Sequence, residues 1–91
     1  MTSAGAHPPP DLEAAILGLL AERDPGKTIC PSEAARRVGG VDWRAYMEPS
    51  REAARTLAAE HRIEILQRGE LRDPAEPLRG PIRLRAAGPD R

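Results

Sequence analysis

The chain has no phenylalanine and no asparagine, and it has one cysteine, one tryptophan and one tyrosine. A single cysteine excludes an intrachain disulfide framework and, with only two histidines, a Cys/His structural zinc site. No apolar run approaches the roughly 20 residues that a membrane span needs. Met1 is not followed by a basic region and an apolar stretch, so no signal peptide is expected and the cytoplasm is the default compartment. Net charge is lacking too: fourteen basic residues stand against fourteen acidic ones, which weakens any case for nonspecific attraction to a polyanion.

The charge balance is also fairly even along the chain. Only residues 61 to 91, with seven basic and five acidic side chains, lean positive. Thirteen of the fourteen basic residues are arginine, and Ala, Gly and Pro abound, as a GC-rich coding sequence imposes. Arginine abundance therefore carries no argument by itself, and position must.

The ends, MTSAGAHPPP and AAGPDR, are rich in small residues and proline and cannot bury enough apolar surface to offset their ordering entropy. They are expected to be flexible tails, 1–10 and 86–91, around one domain at 11–85. An ordered part of roughly 75 residues is marginal for a single core, which keeps dimerisation in view.

Between the tails, DLEAAILGLLAER places Leu12, Ala15, Ile16, Leu19 and Leu20 on one helical stripe, with Asp11 as N-cap and Pro25-Gly26 as the stop. KTIC, Lys27 to Cys30, is a short extended piece. Pro31 suits the first position of a second helix, PSEAARRV, with Cys30 at the N-cap and Glu33 three residues on, where a capping box puts its acid; Gly39-Gly40 ends it. VDWRAYM, capped by Asp42, supplies a further turn or two. Pro49 implies either a break at Glu48 or a new helix that begins at Pro49 itself.

With Ala54 inward and 100° per residue, Met47, Ser50, Leu57, Ala58 and His61 fall within about 60° of the core direction. Arg51, Arg55 and Arg62 share one flank, with Glu48 and Glu52 further round. Ile63 to Gln67 alternates as a half-buried strand does. Two short runs, Glu70 to Arg72 and Ile82 to Arg85, compete to pair with it, and the sequence does not choose between them. Asp73 to Gly80 is a loop.

The expected fold is thus mainly α with a small β-hairpin or three-stranded sheet: a winged helix-turn-helix, in which a three-helix core carries a wing. The motifs KTICPSEAARRV, WRAYM followed by Pro49 and Arg51, LAAEHRIEI and RGPIRLR, in this order, resemble the small bacterial family known as domain of unknown function 3253. The resemblance spans about residues 11 to 85. It implies a winged-helix-like fold and no established activity, so no catalytic residue is carried over.

The first functional expectation is a module that binds DNA or another nucleic acid weakly through the helix of Pro49 to His61 and the wing, with Ser50, Arg51 and Arg55 as helix contacts and Arg44 just before it. The alternative is a protein-interaction or dimerisation module with no nucleic-acid affinity. Arginine's planar fork fits guanine edges and phosphate alike. Glu48 and Glu52 argue instead for a solvated, salt-bridged surface. Arg68, Arg72, Arg79 and Arg83 place a second phosphate contact on the wing, or else keep the sheet edges from pairing with other chains. Trp43 and Tyr46, three apart, are candidates for stacking on a base, for a partner surface, a protein or a second copy, or for covering a small core. Cys30 at a helix start with Lys27 nearby is the one group with reactive potential, set against the common role of a free cysteine as a small buried hydrophobe. His61, at a helix end, is expected to pack or cap. No spacing suggests a nucleophile with its base, a phosphate loop, a metal or a cofactor, and so small a domain leaves little room for a substrate pocket. No enzymatic activity is expected.

Overall fold

The computed structural model describes residues 10–87. It consists of α-helices and a small antiparallel sheet of four strands. Helix α1 (Pro10–Ala21) leads through a turn into strand β1 (Thr28–Ile29), helix α2 (Pro31–Gly39), a 3-10 segment (Gly40–Tyr46) and helix α3 (Met47–Ala59). Strands β2 (Ile63–Gln67), β3 (Glu70–Arg72) and β4 (Arg83–Ala86) complete it. The expected tails lie largely outside the described residues. Pro10 opens α1 and Ala86 closes β4, so the elements reach one residue beyond the expected domain at each end.

Helix α1 buries the stripe its sequence spacing dictates: Leu12, Ala15, Ile16, Leu19 and Leu20 are all in the core. Asp11 lies inside the first turn, not at the cap, where its charge complements the positive end of the helix dipole. The second helix starts as its sequence demands. Pro31 needs no amide partner there, and the Cys30 N–H donates to Glu33 Oε2 at 3.0 Å. An ion pair between Arg23 and Glu33 ties the end of the first helical hairpin to this cap. Arg37 lies beside Glu22 at 3.0 Å and holds that carboxyl below its ordinary range, but the pair is exposed and contributes little.

Two departures concern the middle of the chain. The turns after Gly40 are 3-10 in type, with Asp42 itself off helical geometry (φ −98°, ψ 22°). Helix α3 begins at Met47 rather than at Pro49. Proline at the third helical position is tolerated because the first four amides of a helix have no intrahelical acceptor. Gly39 is where the two segments touch: a Cβ built there would stand 2.5 Å from Tyr46 Cδ1. Only glycine admits the ring at that distance.

The end of α3 is closed by a Schellman motif. Arg62 N–H donates to the Leu57 carbonyl and His61 N–H to that of Ala58, both at 2.9 Å, and His61 takes the left-handed conformation (φ 63°). Histidine is strained there, where glycine is not. His61→Gly is therefore expected to stabilise the fold by about 0.5–1 kcal/mol after the larger unfolded-state entropy of glycine is allowed for. A urea midpoint that stays put or falls would show that the His61 side chain contributes more than its backbone costs.

The sheet settles the pairing that the sequence left open: both short runs pair with β2, one on each side. The strand order is β1-β4-β2-β3, with all pairs antiparallel. The expected hairpin or three-stranded sheet is thus corrected to four strands. The β2-β3 connection is a two-residue turn with positive φ at both Arg68 (56°) and Gly69 (80°), the signature of type I′. Ile29, Ile63, Ile65 and Leu84 face the helices and join Ala53, Ala54, Leu57 and Ala58 of α3 in one core. Leu78 and Ile82, both in the β3-β4 connection, are also buried in that core. A loop that contributes core leucine and isoleucine is held against the domain.

Candidate functional site

The flank of α3 expected to read nucleic acid faces the protein's own chain. Arg51 donates through Nη2 to the Leu78 carbonyl (2.7 Å) and through Nη1 to that of Gly80 (3.2 Å). Arg55 donates through Nη1 to the carbonyls of Pro74 (2.9 Å) and Glu76 (3.2 Å). The loop between β3 and β4 thus lies across this flank, with the fork of Arg51 and the single Nη1 of Arg55 holding four of its carbonyls. Glu52, expected to pair on the helix surface, stands 3.8 Å from Arg55, and Arg62 is 4.0 Å from Glu60. Glu48 forms no ion pair among the described residues.

Ser50 corrects the expectation most directly. It is 0% exposed, so it reaches no groove, and its Oγ has no hydrogen-bond partner among the described residues. An unpartnered buried hydroxyl costs about 1–3 kcal/mol of desolvation. Ser50→Ala is expected to leave thermal stability unchanged or raise it. A clear fall would mean that the hydroxyl has a partner, such as a buried water.

The sheet arginines divide into two groups. Arg83 is engaged: its Nε donates to Thr28 Oγ1 at 2.9 Å and its Nη2 to the Thr28 carbonyl at 3.3 Å, which pins β4 to β1. Arg85 makes a close fork on Glu64 Oε1, at 2.9 and 2.6 Å. Arg68, Arg72 and Arg79, in contrast, line one polar cleft of about 330 Å³ with Gln67 and Glu70. None of the three is ion-paired among the described residues, and Arg72 Nε is buried without a partner. Gln67 is tied in place there, with its amide donating to the carbonyls of Arg79 and Pro81.

Trp43 and Tyr46 serve different ends. Tyr46 is half-buried against the core. Trp43 carries the guanidiniums of Arg36 and Arg44 over its ring at 4.3 and 4.6 Å from the centroid, so Arg44 is stacked on its own neighbour and not extended toward a ligand. Val41, beside them in sequence, is 95% exposed. With Leu71, 62% exposed, it is one of the two large apolar side chains left in water among the described residues.

Cys30 is half-buried, and its Sγ accepts a hydrogen bond from Ser32 Oγ at 3.2 Å. The expectation that the domain has little room for a pocket is overturned. An open groove of about 850 Å³ runs between the C-terminal half of α3, the β2-β3 hairpin and the start of the loop, with Ala58, Ala59, Ile63, Ile65 and Leu71 among its apolar lining. Arg55, His61, Glu64, Arg72 and Asp73 also line it, and none of these five hydrogen-bonds to another among the described residues. The groove therefore presents apolar surface and scattered charge, not a base held on a nucleophile. Among the described residues no three His, Cys, Asp or Glu side chains are placed to hold a metal ion, and no helix is long and apolar enough to cross a membrane.

Little in the sequence pointed to these internal ties. The acceptors of Arg51 and Arg55 are backbone carbonyls, which leave no mark on residue identity. The one usable signal was the apolar Leu78 in an otherwise polar loop.

Comparison with known proteins gives one family. The model of a family described as "Protein of unknown function (DUF3253)" matches residues 9–87. No curated protein matches the chain.

Proposed function

The chain belongs to the DUF3253 family, and from that premise we propose that it is a winged-helix module that works by contact with another protein chain, without catalysis and without reading nucleic acid through α3. The winged-helix assignment is supported by the element order and by the place of β4 between β1 and β2, with the β2-β4 connection in the position of a wing. The functional assignment rests on one observation: both arginines that would enter a groove are committed to the carbonyls of the loop lying over them. A nucleic acid would have to displace that loop, with its buried Leu78, before it met α3. The neutral net charge supplies no long-range attraction to offset this.

A second possibility, contact with a phosphate backbone by the hairpin turn, is favoured by the three arginines of the polar cleft, Arg68, Arg72 and Arg79. Fluorescence anisotropy with duplex DNA, single-stranded DNA and RNA at low and moderate salt separates the two. The protein-contact proposal expects no affinity even at low salt. Affinity that falls steeply with salt and is weakened by Arg68→Ala with Arg79→Ala would install the second in its place.

A further inference from the structure

Strand β3 is one of the two edges of the sheet: among the described residues β2 pairs with it on one side and nothing does on the other. An edge of this kind offers unpaired backbone donors and acceptors to any extended chain, and natural proteins ordinarily blunt it with charge. This one has the sequence Glu70-Leu71-Arg72. Charge of a single sign would repel a partner strand in every register. A carboxylate and a guanidinium placed either side of an apolar residue do not.

The backbone phase selects the register. In a hairpin closed by a two-residue turn, the flanking residues Gln67 and Glu70 exchange the hydrogen bonds. The next pair, Leu66 with Leu71, does not, so the Leu71 N–H and C=O point away from β2 toward the open edge. A strand that pairs antiparallel on that edge must place its own outward-facing residue opposite Leu71. If that strand is β3 of a second copy, the two-fold axis passes through Leu71. Leu71 then lies opposite Leu71 of the second copy and exchanges two hydrogen bonds with it, while Glu70 of each chain lies opposite Arg72 of the other.

The side chains agree with the backbone. Leu71 is one of the two large apolar residues left in water among the described residues. Neither Glu70 nor Arg72 has an ion-pair partner among the described residues. Hydrogen-bonding phase, apolar exposure and charge pattern thus converge on the same two-fold arrangement.

We propose that the protein self-associates through antiparallel pairing of β3 with β3 of a second copy, which joins two four-stranded sheets into one. This rests on the protein-contact proposal above and names the partner. Three residues a side bury much less than the roughly 1,200 Å² of a standard stable interface, so the dimer is weak and concentration-dependent.

Sedimentation equilibrium on the full chain over a wide concentration range tests it, with circular dichroism to confirm that each variant is folded. The native mass is expected to rise from 9.9 kDa toward twice that value. Leu71→Lys and Leu71→Glu change an exposed side chain, so both fold, and each sets like charges face to face across the axis. Each alone is expected to stay monomeric, whereas an equimolar mixture recovers the dimer. Glu70→Lys is expected to abolish association as well, by opposing Arg72 of the other copy. A native chain that remains monomeric at millimolar concentration overturns the proposal, as does association indifferent to both Leu71 substitutions or a mixture that fails to recover. The protein-contact proposal fails separately, through nucleic-acid affinity: a monomer with no such affinity retains it and requires a different partner.

Discussion

Arg51→Ala combined with Arg55→Ala is expected to destabilise the domain by about 3 kcal/mol, with the damage concentrated in residues 73–80. Hydrogen bonds from charged donors contribute about 1.5–3 kcal/mol each when well shielded. These four are partly exposed, so their sum must be discounted well below the additive value. The remainder is still a large share of the roughly 5–10 kcal/mol that holds a small domain together. Urea denaturation gives the total, and limited proteolysis or amide exchange localises it. The loop should open first, because Leu78 loses the clamp that holds its backbone against α3.

Lysine at the same two positions distinguishes a clamp from a reading surface. Lysine keeps the charge but is a point donor on a flexible stem, and it reproduces neither the planar fork by which Arg51 spans two carbonyls nor the rigid placement of Arg55 Nη1. The clamp therefore predicts that Arg51→Lys with Arg55→Lys loses most of the same stability. If the lysine variant is as stable as the native protein and the alanine variant is only slightly worse, the loop is held by Leu78 and Ile82 alone, and the flank of α3 is open to ligands after all.

Leu57→Ala carries the other large effect. Leu57 is 0% exposed and sits in the core cluster with α1, α2 and the sheet strands. Removing its isobutyl group costs the transfer energy of the lost carbons and leaves a cavity, together about 2–5 kcal/mol. Its neighbours on the helix, Ala53, Ala54 and Ala58, are already alanine, so α3 itself offers no larger side chain to move in and fill the space. The expected value is therefore in the upper half of that range, and a fall of under 1 kcal/mol in urea unfolding would show that α3 is not packed as described. The Schellman closure depends on the same residue's carbonyl, which the substitution keeps, so the helix end should survive.

These two results sit on opposite sides of what could be read from the residues. Leu57 was legible, because helical periodicity tells which side of α3 faces inward once Ala54 is taken as the core direction. Arg51 and Arg55 were legible as a flank but not as a clamp. Periodicity places side chains around one axis and is silent about what comes to lie beside it. Ser50 shows the same limit in reverse. Its angle put it near the core and its chemistry suggested a groove, and packing resolved the conflict in favour of the angle.

The sequence by itself determined the local structure: the buried stripe of α1, the Cys30-Pro31-Glu33 start of α2, its stop at the two glycines and the strand after His61. Each is settled by neighbours within about four residues, through periodicity, capping and turn chemistry. The tertiary structure alone decided the order of the strands, the use of Tyr46 as the wall against Gly39, and the fate of the α3 arginines. Their acceptors lie between 19 and 29 residues further along the chain. They are backbone carbonyls, which every residue possesses, so nothing in the identity of residues 74, 76 or 80 announces the contact, and Leu78 announces only that its own side chain is buried. It exists only because burial of Leu78 and Ile82 brings that loop across the helix.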